Sequence, residues 1–119
     1  MSSEMLELGG TSRQAMAAAR TSLDLALKGK SDSEIAKFAA DLFTALEALD
    51  SSTPLRRAIT DASRDAKDRA KLVSDVFSKG APSVTNFIGE LTQLKWSAPT
   101  DLVDTLEQLA VEAEASAAN

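Results

Sequence analysis

Among the 119 residues of this chain, the side chains that most often carry chemistry are missing: there is no histidine and no cysteine. Without imidazole there is no side chain with an unperturbed pKa near neutrality, no Ser-His pair and no His ligand for a metal. Without thiols there is no thiolate nucleophile, no Cys-type zinc site and no disulfide, which fits a reducing cytoplasm. The carboxylates remain, but pairs such as Glu47 with Asp50 lie on polar helix faces with no apolar pocket to raise a pKa. We therefore assign no catalytic, cofactor-binding or metal-binding residue, and expect a non-enzymatic protein that acts by binding another.

Two other groupings point to binding chemistry and are weighed against plainer readings. Arg56, Arg57, Arg64, Lys67, Arg69 and Lys71 are the one basic concentration, yet Asp61, Asp65 and Asp68 interrupt it and the net charge is -5. Nucleic acid needs clustered cations that outnumber nearby acids, so this stretch reads as a solvated helix face with mixed ion pairs and no nucleic-acid partner. Thr21-Ser22-Leu23 is faintly similar to the phosphopantetheine serine of acyl carrier proteins, but that serine starts a helix after an aspartate, whereas Ser22 falls inside a helical pattern. Trp96, the lone tryptophan, stands beside a helix end and reads as a plug of the core.

The elements that must position these residues are all helices. Ser12 is placed to cap a first helix carrying Met16, Ala19, Leu23, Ala26 and Leu27 at three- and four-residue steps, ended by Gly29. Ser31 with Glu34 forms a capping box for a second, with Ile35, Phe38, Ala39, Leu42, Leu46 and Leu49 as its stripe. Thr53-Pro54 opens a short third helix with Leu55, Ala58 and Ile59 inward; Ser63 caps a fourth with Val73, Val76 and Phe77, stopped by Gly80. Pro82 starts a fifth with Val84, Phe87, Ile88, Leu91 and Leu94, and Thr100 caps a sixth with Leu102, Leu106 and Leu109. No strand-period alternation with hairpin signals occurs, so the expected fold is all-α, a compact six-helix bundle forming a single core. Residues 1–11 are expected to be a flexible segment, 12–113 the bundle and 114–119 a frayed tail. No run reaches the ~20 apolar residues of a membrane span, and the acidic start is unlike a secretory leader.

The first helix projects two low-polarity sides. Met16, Leu23 and Leu27 make a bulky one for the core; Ala15, Ala18 and Ser22, with Leu25 at the margin, make a second of small residues. Small side chains admit close approach of another helix, which is either a partner or the fifth or sixth helix of the bundle itself.

From Ser12 to about Ala113 the chain resembles the N-terminal domain of the delta subunit of F-type ATP synthase, the bacterial counterpart of the mitochondrial oligomycin-sensitivity-conferring protein. The pieces that carry the resemblance are Ser12-Arg13, Pro54-Leu55-Arg56-Arg57, Lys67 to Val76-Phe77-Ser78, Asn86-Phe87-Ile88 with Leu91, and Asp101-Leu102-Val103 to Leu109, in that order and spacing. Ala15 stands where the family often has an aromatic, Arg20 where it often has phenylalanine and Glu90 where it often has an aliphatic residue.

The resemblance implies a non-catalytic stator element that seats on the catalytic head and binds the N-terminal helix of the alpha subunit between helices one and five. By position, one wall is Ala15, Ala18 and Ser22 and the other Asn86, Phe87 and Glu90. It also implies a C-terminal domain beyond this chain that joins the stalk b subunit. The expected location is the cytoplasmic side, peripheral on the inner face of the cell membrane, with no membrane insertion and an isolated domain that is monomeric. The rival reading is a helical adaptor of a signalling or regulatory system.

Overall fold

A computed structural model describes residues 10–118 as six helices: α1 Gly10–Leu27, α2 Asp32–Asp50, α3 Thr53–Thr60, α4 Ala66–Val76, α5 Pro82–Thr92 and α6 Pro99–Ala118. No strand occurs among the described residues. The Cα radius of gyration is 13.4 Å, against about 13.5 Å for a compact chain of this length.

Local chemistry sets most of the boundaries. Gly29 adopts φ 77°, the left-handed conformation that a helix exit favours and that a Cβ would disfavour. The capping box of α2 is complete: Glu34 N–H donates to Ser31 Oγ and Ser31 N–H to Glu34 Oε1. The donation from the Ser31 backbone, and after it hydrogen bonding from the Ser31 side chain, hold the Glu34 carboxyl below its ordinary pKa. At α3 the cap is Ser52, whose Oγ accepts from Leu55 N–H, so Thr53 is the first helical residue instead of the cap. Ser63 does not cap α4; its N–H and hydroxyl both donate to Asp61 Oδ1 in a side-chain-closed turn, and the helix begins three residues later at Ala66. Thr100 lies inside α6, which starts at Pro99 and runs to Ala118, so the expected frayed tail is helical as far as it is described.

The core is built on the pairing of α2 with α6, the most extensive in the bundle. Leu42 and Leu49 of α2 and Leu102, Leu106 and Leu109 of α6 are all fully buried in the same core cluster. Phe87 of α5 meets Phe38 of α2 edge-on, with ring centroids 5.6 Å apart at 64°, the arrangement the ring quadrupoles favour. Trp96 is half-buried against this core and donates its indole N–H to Leu91 O at 2.8 Å, filling the α5–α6 corner.

Two arginines of the basic stretch donate to carbonyls at helix ends and in the α3–α4 turn. Arg56 Nη1 donates to Leu49 O and Asp50 O, both at 2.7 Å, closing the C-terminus of α2. Arg69, only 7% exposed, donates Nε to Thr92 O at the end of α5 and Nη1 to Asp61 O and Arg64 O in the α3–α4 turn. The solvated-face reading therefore fails for these two: helix C-termini present orphan carbonyls with partial negative charge, and a planar guanidinium serves several at once.

Candidate partner-helix groove

Helix α1 packs on α5 and α6 and presents a 3.6-residue inward stripe of Ser12, Ala15, Ala19 and Leu23. Its inward face is thus rotated from the expected one. Met16 is only half-buried, and Ala15 is 5% exposed, its methyl covered by the bundle. Ser12, expected as the N-cap, is fully buried inside the helix, which begins two residues earlier at Gly10. The second small-residue side divides: Ala15 is filled from within, as the intramolecular alternative required, while Ala18 is exposed and Ser22 half-buried. Gln14, Ala18, Thr21 and Leu25 follow one another at helical spacing as an uncharged outer strip, with Leu25 67% exposed. Leu25 is the one large apolar side chain that α1 exposes among the described residues.

On α5, Asn86 and Glu90 are exposed one turn apart, whereas Phe87 is 2% exposed and belongs to the core through Phe38. Of the six residues expected to line the groove, the structure leaves Ala18, Asn86 and Glu90 open to solvent and Ser22 partly so. The side chains of Ala15 and Phe87 act from beneath, as packing that fixes the two helices.

Two polar links that the sequence reading missed hold α1 against α6. Ser12 Oγ donates to Asp101 Oδ2 at 2.7 Å and accepts Ser97 N–H at 2.7 Å. Arg20 pairs with Glu112, whose other oxygen accepts Gln108 Nε2 at 3.1 Å. These links involve residues 85 to 92 apart in the chain, so no periodicity or capping signal announces them.

A separate apolar hollow of about 330 Å³ lies between α2 and the α4–α5 junction, lined by Ala45, Ala48, Val76, Phe77, Ala81 and Val84 among others. Val76, expected to point inward, is 45% exposed at its rim.

No family model matches the chain. Curated relatives do. A protein of Streptomyces avermitilis named ATP synthase subunit delta is 36% identical over 92% of this chain and 40% of its own length. The protein of the same name from Kineococcus radiotolerans is 36% identical over 87% of this chain and 38% of its own. That of Renibacterium salmoninarum is 41% identical over 63% of this chain and 28% of its own. The chain thus spans about two-fifths of the length of the first of these curated relatives.

Proposed function

The chain is related to the ATP synthase delta-subunit family over nine-tenths of its length, and from this we propose that it is the N-terminal domain of an F-type delta subunit, a stator component of the proton-translocating synthase. The reading rests on that similarity. No helix among the described residues is long and apolar enough to cross a membrane. The domain does no chemistry. It resists torque by receiving the N-terminal helix of the alpha subunit along α1 and α5, with Ala18, Ser22, Asn86 and Glu90 at the surface of contact and Ala15 and Phe87 beneath it. The part of the delta subunit that this chain does not span joins the stalk b subunit, which places the domain on the cytoplasmic side, peripheral to the inner face of the membrane.

The mode is helix-in-groove recognition. Apolar burial supplies about 25 cal/mol per Å², less the cost of ordering the partner, so a few anchors dominate. The uncharged strip with exposed Leu25 supports this choice of face. Ala18→Asp places an unpaired charge in the strip at an exposed position, so helicity is expected to stay intact. Titration of a peptide with the sequence of the cognate alpha-subunit N-terminus, followed calorimetrically, should show affinity falling by at least about tenfold, or ~1.4 kcal/mol. Normal affinity in the variant would assign the partner to another face.

A further inference from the structure

Helix α1 is the wall of the proposed groove and also a lightly anchored part of the bundle. Its fully covered apolar side chains are Ala15, Ala19 and Leu23, two of them single methyl groups, whereas α2 buries Phe38, Leu42, Leu46 and Leu49 together with Ile35, Ala39 and Ala45. Leu23, with the partly buried Ala26 and Leu27, anchors the C-terminal half of α1, but the methyl groups of the N-terminal half give it little apolar area with which to fix angle and register. Its side-chain bonds to the rest of the bundle, among the described residues, are two to α6 and one to the turn before α6; Thr21 Oγ1 donates to Ala17 O inside the helix itself.

We infer that α6 sets the position of α1, and with it the groove wall, through two polar tethers on their shared face: Ser12 with Asp101, and Arg20 with Glu112. The tethers join residues in the same order on both helices, so α1 and α6 run in the same direction. Eight residues of α1 separate them, about 12 Å at 1.5 Å per residue. Added to the packing of α1 on α5, two tethers at that spacing oppose both a pivot and a slide of α1 along α6. Each is built to hold direction. The Ser12 hydroxyl, fully buried, accepts Ser97 N–H and so turns its proton to the Asp101 carboxylate, using its donor and one acceptor site together. Glu112 is oriented for Arg20 by the Gln108 amide on its far oxygen. Ser12 and Arg20 are thus positioning residues. They lie outside the contact surface and act on it through the helix that carries Ala18 and Ser22, and the groove half of this inference rests on the proposed function.

The absence of cysteine lets paired spin labels read the tethers in the full 119-residue chain. Labels at Asp24→Cys on α1 and Glu114→Cys on α6 report the tethered pair; labels at Ala36→Cys on α2 and Glu114→Cys serve as the reference, all at exposed positions. Ser12→Ala and Arg20→Gln should each shift or widen the α1–α6 distance distribution by on the order of 1–2 Å, the scale of helix shifts at packed interfaces, and leave the α2–α6 distribution unchanged. A loss of global stability alone would not move the distances of the folded molecules. Arg20→Glu combined with Glu112→Arg should restore the narrow distribution. Release of the alpha-subunit peptide should quicken about tenfold in the single variants, since interface changes act mostly on dissociation. Unchanged α1–α6 distances in both single variants would overturn the inference, as would changed distances with unchanged peptide release. If the unsubstituted chain binds no peptide, the proposed function fails, while the distances still decide whether α6 holds α1. Arg20→Gln, at a partly exposed site, keeps the test decisive should Ser12→Ala not fold.

Discussion

Replacing Arg69 by methionine keeps much of the aliphatic stem and removes the guanidinium that joins α4 to the end of α5 and to the α3–α4 turn. Three donations are lost: to Thr92 O at 2.6 Å, to Arg64 O at 2.6 Å and to Asp61 O at 3.1 Å. Hydrogen bonds from a charged donor contribute about 1.5–3 kcal/mol each. Returning the cation's desolvation cost, several kcal/mol for a buried ion, offsets a large part of that sum. The acceptors then decide the balance. Arg64 is exposed and Asp61 half-buried, so water can reach those carbonyls, but Thr92 is fully buried. An orphaned carbonyl there costs about 1–3 kcal/mol, and the net loss should be on the order of 2–4 kcal/mol. Arg69→Lys should fall between, because a compact ammonium keeps the charge but lacks the planar fork that spans acceptors on two elements. Urea unfolding followed by Trp96 fluorescence and helical circular dichroism measures this, provided the denaturant slope is unchanged. An Arg69→Met variant within ~0.5 kcal/mol of the parent, the range of ordinary surface substitutions, would refute the clamp.

Three further outcomes follow from the core and its charges. Phe87→Ala removes a ring 2% exposed and edge-on to Phe38 and should cost about 3–5 kcal/mol in the same unfolding experiment; unaltered stability with lost peptide binding would move Phe87 from the core to the groove. Thr105 is fully buried, and its hydroxyl has no partner among the described residues, so the near-isosteric Thr105→Val should stabilise by up to about 1 kcal/mol; a loss would mean the hydroxyl is satisfied. Partial burial, then repulsion from Asp101, Glu107 and Asp50, raises the Asp104 carboxyl above its ordinary pKa. A carboxyl with a folded pKa above its unfolded one penalises the fold when ionised, and the penalty fades as pH falls through that range. Asp104→Asn should therefore raise the melting temperature at neutral pH, with a gain that shrinks in acid; a gain constant with pH would exclude charge as its cause.

The fold was legible because capping chemistry and apolar period agree in most segments: Ser31 with Glu34, Gly29 and Pro82 each stand where the chain turns. Boundaries slipped where two candidates compete within one turn, as at Ser52 beside Thr53, or where a serine is recruited elsewhere, as Ser63 is by Asp61 and Ser12 by Asp101. The rotation of α1 was illegible for a related reason. Alanine marks a low-polarity side without saying whether α5, α6 or another molecule covers it, so Ala15 and Ala18 look equivalent in sequence and differ in burial. Arg56 and Arg69 were hidden by their neighbours: in a run that mixes both charges, nothing local shows which guanidinium meets a helix C-terminus.

An NMR titration of the isotope-labelled chain with the alpha-subunit N-terminal peptide separates the possible faces residue by residue. Docking along α1 and α5 predicts saturable shifts at Ala18, Ser22, Leu25, Asn86 and Glu90, with the Ala45, Ala48 and Val76 hollow undisturbed. Shifts centred on that hollow, or none from a folded chain at high peptide concentration, would contradict it.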